Sequence, residues 1–129
     1  AAAGLALILR GSAETTFAPN LMHAWIAECV FTFALAWIIL QATSRRNDGN
    51  QWYGMAIGFI VGAGAWAVGA VSGAAFNPAV WLSLAITDKL AWSSWWIYVS
   101  AEVLAVVLAV VCQRIIESGE PPCDPISPS

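Results

Sequence analysis

Charge is scarce in this sequence. Charged residues make up 10% of its 129 positions, where a soluble domain carries about 25%. So few charges could not keep a soluble surface of this size wet, which excludes a soluble globular enzyme and a disordered chain. Basic residues are fewer still: five Lys and Arg stand against eight Asp and Glu, for a net charge of -3. Nucleic-acid binding needs clustered basic residues, so no nucleic-acid partner is expected. Cysteine is limited to Cys29, Cys112 and Cys123. The count is odd and no C-x-x-C spacing occurs, so neither a metal centre nor a disulfide framework is expected. No nucleophile–base set or phosphate loop can be found either. The expectation is a protein that is no enzyme, with no catalytic residues, no metal and no cofactor. No signal peptide is recognisable, and the start at Ala1 rather than Met is expected to continue upstream sequence.

What is abundant is apolar surface. Hydrophobic residues reach 60%, with a mean hydropathy of +0.72, and a membrane-embedded chain follows. A spanning helix needs ~20 mostly apolar residues. Residues 21–42 meet that length with Glu28 as their only charge, residues 52–71 carry no charge, and residues 95–116 are broken only by Glu102 and Arg114. The loop 43–51 between the first two is polar, with Arg45, Arg46 and an Asp48-Gly49 turn signal. Residues 1–9 are apolar but too short, and read as the end of a preceding helix stopped by Arg10-Gly11. Residues 117–129 hold four prolines and are expected to be a disordered tail. The expected division is therefore 1–19 (preceding helix end and connecting loop), 20–116 (membrane repeat) and 117–129 (tail). Trp52, Trp92, Trp95 and Trp96 stand at span ends, as interface anchors against membrane lipids do. His23 stands at the entrance of the first span and reads as an interfacial residue. Arg45, Arg46 and Arg114 fall on one side and Arg10 and Lys89 on the other, which places the 43–51 loop and the tail in the cytoplasm.

Residues 77–87 are also apolar and too short to span, and they follow a stretch of small residues. Irregular backbone at membrane depth survives only when buried in protein or lining a water-filled cavity. The fold class expected is thus an all-α membrane protein: three transmembrane helices plus one re-entrant half-helix. The second span carries Gly54, Gly58 and Gly62 at four-residue spacing, a face that lets another helix approach closely. Ala101, Ala105 and Ala109 repeat that spacing in the third span.

The stretch Ser72-Gly73-Ala74-Ala75-Phe76-Asn77-Pro78-Ala79-Val80 carries the function. Pro78 suits the first position of a helix, and Asn77 is then its N-cap. A half-helix starting mid-membrane aims its positive end at the pore centre. The Asn77 amide adds donors there, which bind a water oxygen and repel cations.

This stretch resembles the SGxxxNPA signature of the aquaporin and aquaglyceroporin family, the major intrinsic proteins. The likeness extends to Ala27-Glu28 with Phe31-Thr32-Phe33, to Ala56-Ile57-Gly58, and to Ile97-Tyr98 followed by Ala101-Glu102 and Ala105, in order over about residues 20–116. It implies one of two inverted repeats, here the C-terminal half. It makes Asn77, Pro78 and Ala79 the pore motif, and Glu28 a brace for the loop backbone ahead of it. Ala65, Ala74 and Val80 take the selectivity-filter positions. Val80 stands where water-selective members carry Arg, Ala65 where many have His, and Glu102 where Gln or a small residue is common. The resemblance implies a channel for water, glycerol or another small neutral solute, its pore formed with a second NPA half-helix from the same or another chain, in a homo-oligomer or membrane complex. The alternative reading is a non-conducting structural subunit of a larger membrane assembly.

Overall fold

The computed structural model describes residues 18–44, 49 and 51–119. The first-helix remnant expected at 1–9, the arginines of the 43–51 loop and all but the start of the tail lie outside the described residues. Among the described residues four helices and one 3-10 turn follow in order: α1 Leu21–Ala42, α2 Tyr53–Ser72, α3 Pro78–Ile86, the 3-10 turn Trp92–Ser94, and α4 Trp95–Ser118. Helices α1, α2 and the continuous stretch Trp92–Ser118 are long and apolar enough to cross a membrane. At nine residues α3 is not; it is roughly 13 Å long against a hydrocarbon core of about 30 Å.

Helix ends follow local chemistry. Asn20 caps α1 by accepting the His23 backbone N–H at 3.2 Å. Helix α2 ends where Gly73 takes φ +85°, and the Gly73 N–H donates to the Gly69 carbonyl at 2.9 Å. Helix α4 runs two residues beyond the expected 116, because the first tail proline comes only at Pro121. Gln113 also donates to Glu117 one turn on, at 2.8 Å.

Helix α1 is the hub, packed along both α2 and α4. Two side-chain hydrogen bonds fix the α1–α4 pair. Trp25 Nε1 donates to Ser100 Oγ at 3.0 Å, and Gln41 Nε2 donates to Gln113 Oε1 at 2.7 Å. Early residue meets early residue and late meets late, so α1 and α4 run parallel, with α2 on another side of α1. Ala101, Ala105 and Ala109 are fully buried, so the small-residue stripe of the third span is an internal seam. The stripe of the second span is not. Among the described residues nothing lies within 4 Å of a Cβ placed at Gly54, Gly58 or Gly62, whereas one at Gly64 would come within 2.7 Å of Phe76 and 2.8 Å of Phe31. Gly64 is thus the position on α2 that close packing requires to be glycine. A separate apolar cluster, Ala75, Trp81, Ala85, Leu90, Ile97 and Tyr98, holds α3 to the start of α4.

Candidate functional site: the turn that launches the half-helix

Between α2 and α3 the backbone makes two left-handed steps at non-glycine residues, Ala74 (φ 52°) and Phe76 (φ 51°). Such steps cost of order 1 kcal/mol or more each and persist only where surroundings over-determine them. Here three helices do so. Glu28, fully buried on α1, reaches the turn with both carboxylate oxygens: Oε1 accepts the Ala75 N–H at 3.0 Å and Oε2 the Phe76 N–H at 2.6 Å. From the end of α2, Ser72 Oγ accepts the Ala74 N–H at 3.1 Å. From α4, the Tyr98 hydroxyl donates to the Ser72 carbonyl at 2.6 Å. The Phe76 ring stacks on Phe31 of α1 at 5.4 Å, over Gly64. Every donor of the turn from Ala74 to Phe76 therefore has an acceptor, as buried backbone demands.

Asn77 then starts α3. Its backbone is extended (φ -161°, ψ 132°), its Oδ1 accepts the Ala79 N–H at 2.8 Å, and Pro78 follows in the first turn. With Oδ1 engaged as the cap, the side-chain amide keeps its N–H donors, and Asn77 is exposed. At the far end Asp88 (φ 56°) reverses the chain, Lys89 N–H donates to the Leu84 carbonyl at 2.8 Å, and Leu90 plugs back into the core at 2% exposure. The chain thus turns back after nine helical residues, too few to span a membrane.

Pro78 and Ala79 are exposed on the first turn of α3, and Val80, 43% exposed, follows them. Ala74 is half-buried in the turn and Ala65 is exposed on α2. All three residues expected at the filter therefore reach a surface of the described structure rather than its core. Sequence reasoning gives Ser72, Phe76 and Tyr98 only as members of family-like stretches and assigns Gly64 no role of its own, yet all four hold the turn. The signal for Tyr98 was present in the Ile97-Tyr98 pair, whose polar end needs a partner in an apolar span.

Beside Asn77 opens a pocket of about 350 Å³, walled by α1 and α4. Its lining is apolar except for Thr32, Asn77 and Glu102. Thr32 and Glu102 are 4% and 2% exposed. Glu102 lies within reach of the Asn77 backbone N–H, yet neither of its carboxylate oxygens closes a hydrogen bond, and Thr32 Oγ1 is unpartnered as well.

A strained, triple-anchored turn that feeds a non-crossing helix, inside a bundle of apolar spans, can now be set against known proteins. A model of the family described as "Major intrinsic protein" matches residues 4–112. The chain belongs to this family. Among curated members it is 33% identical over 103 residues to Aquaporin TIP1-2 of Zea mays, covering 78% of this chain and 40% of that protein. It is 36% identical over 81 residues to Aquaporin TIP1-1 of Arabidopsis thaliana, covering 61% and 32%. It is 31% identical over 113 residues to Probable aquaporin NIP7-1 of the same plant, covering 84% and 40%. The chain thus spans about two-fifths of the length of the curated relatives it matches. No solved structure matches it significantly. As a major intrinsic protein the chain is an integral, multi-pass membrane protein of a channel family and no enzyme.

Proposed function

We propose that this chain supplies one half of a pore for water, glycerol or another small neutral solute, completed by a second Asn-Pro-Ala half-helix in the same or another chain. The observation that carries the reading is the launch of α3. A helix too short to span begins at a turn held from α1, α2 and α4, with its Asn77 amide free to face a solute. The positive end of α3 and the Asn77 donors together favour a solute oxygen and disfavour a cation. Glu28 serves as brace, since both its oxygens are spent on the turn. The open face of Gly54, Gly58 and Gly62 is where a second repeat packs, because small residues there admit a close backbone and none of the described residues uses it. Ala65, Ala74 and Val80 leave the filter small-sided and uncharged, which favours a solute wider than water.

Stopped-flow swelling of vesicles carrying the full-length protein tests the reading, with osmotic gradients first of an impermeant sugar and then of glycerol. Glycerol flux above lipid background, lowered in Val80→Arg, is the expected result. No flux of water or glycerol from correctly inserted protein would discard the channel and leave a non-conducting membrane subunit.

A further inference from the structure

The pocket beside Asn77 contains more polar capacity than the fold uses. An apolar cavity with a few convergent polar groups is the usual form of a small-molecule site. Three polar side chains converge here, and two of them, Glu102 and Thr32, are more than nine-tenths buried with no hydrogen-bond partner. Buried polar groups are paired in all but a few cases, so two unpaired ones on one cavity point to a ligand that pairs them. A carboxyl in a membrane span is costly and marks a functional site by default. Glu28 shows what a satisfied carboxyl looks like in this same bundle, with two backbone donors on two oxygens. Glu102, on the neighbouring helix, is 2% exposed; the Asn77 backbone N–H lies near it, but neither oxygen closes a hydrogen bond.

The roles of the three groups differ. The Asn77 side-chain amide has donors to offer, because its oxygen is already used as the cap. Glu102 and Thr32 offer acceptors. A solute with an oxygen at one end and N–H or O–H groups at the other would satisfy both ends at once. About 350 Å³ has room for such a molecule together with water. We propose that Glu102 is a specificity-determining acceptor. With Thr32 it makes the pocket beside Asn77 a subsite for small neutral solutes that carry hydrogen-bond donors. The inference rests on the channel reading above and adds to it the group that discriminates among solutes. A site built to pair a solute's donors rejects molecules that lack them, because its own buried groups would then stay unpaired.

The test uses the full-length protein in vesicles, with urea as the donor-bearing probe and water as the internal reference. Glu102→Leu removes both acceptor oxygens and should lower the urea-to-water permeability ratio about tenfold. Glu102→Gln is nearly the same shape, keeps one acceptor and should lower the ratio about threefold; it decides the matter if Glu102→Leu fails to fold. Thr32→Val keeps the side-chain outline and should lower the ratio by a similar about threefold. An unchanged ratio in Glu102→Gln and Thr32→Val would overturn the proposal. So would an equal fall of urea and water flux in both, since that marks groups that hold the bundle rather than sort solutes. Loss of all flux in the unmutated protein is a separate result, which removes the channel reading and this inference with it.

Discussion

Replacing Glu28 with Ala should unfasten the turn that launches α3. Its carboxylate is fully buried and takes the Ala75 and Phe76 N–H groups at 3.0 and 2.6 Å. A hydrogen bond to a charged acceptor contributes about 1.5–3 kcal/mol, and a buried donor left without any acceptor incurs its full desolvation cost. Two such donors lie in the one segment where Ala74 and Phe76 hold left-handed backbone, so nothing local compensates. The loss should be on the order of 3–5 kcal/mol. Glu28→Gln is the informative companion. One amide oxygen can still serve one N–H, but the NH2 group then faces the other donor, so about half the loss or more should remain. Unfolding in mixed micelles measures the free energy, and hydrogen exchange at Ala75 and Phe76 locates it. Exchange at these two amides should accelerate while amides in the middle of α1 stay protected. If Glu28→Ala leaves both amides protected and stability within about 0.5 kcal/mol of the parent, the brace assignment is wrong and the turn is held by packing alone.

The other predictions concern separate parts of the bundle. Gly64→Ala places a methyl within 2.7–2.9 Å of Phe76 and Phe31 side-chain atoms and should destabilise by about 1–3 kcal/mol in the same micelle assay. Gly58→Leu meets nothing among the described residues, so it should leave the stability of the α1–α4 bundle unchanged and disrupt assembly with the second repeat, read by crosslinking or size-exclusion of the full-length protein. Asn77→Ala removes the cap on α3 and should lower stability by about 1 kcal/mol while lowering solute flux, checked by swelling. Tyr98→Phe loses the 2.6 Å bond to the Ser72 carbonyl and should lower stability by about 1 kcal/mol, visible as faster exchange at the Ala74 amide.

The parts of this fold legible in the sequence are those set by local chemistry. Run length and the absence of charge give the three spans to within two residues, because hydropathy depends on composition rather than on neighbours. Asn77 and Pro78 announce the start of α3 because an N-cap and a first-turn proline act within one turn. The brace at Glu28 came from family resemblance and not from spacing; its partners lie 47 and 48 residues away. What could not be read depends on which face meets which. The four-residue glycine spacing on α2 identifies a face but not its neighbour, and within the chain the close approach falls instead at Gly64, two residues past Gly62 on another side of the helix. The left-handed steps at Ala74 and Phe76 contradict local preference. They exist because acceptors from other helices require the turn's N–H groups in those directions. Whether Glu102 would be paired like Glu28 or left open to a pocket is likewise a matter of rotation about α4, which spacing alone does not set.

The order of the bracing groups along the chain has a consequence for biogenesis. Synthesis runs from the N-terminus, so the acceptor at Glu28 is made before the donors at Ala75 and Phe76, and the Tyr98 hydroxyl comes last. Until the turn is made, Glu28 lacks these two donors, a burden of a few kcal/mol for a carboxyl in a span, and it is discharged when the turn arrives. An intermediate that stops short of the turn should therefore be unstable at Glu28, and pairing with the turn's N–H groups should favour drawing that segment inward. The arrival of α4 then closes the site with the Tyr98 hydrogen bond and the alanine seam. Insertion of this chain is thus a ratchet whose first tooth is a lone carboxylate, and a ribosome-stalled intermediate ending between α2 and α3 should be the form most prone to degradation.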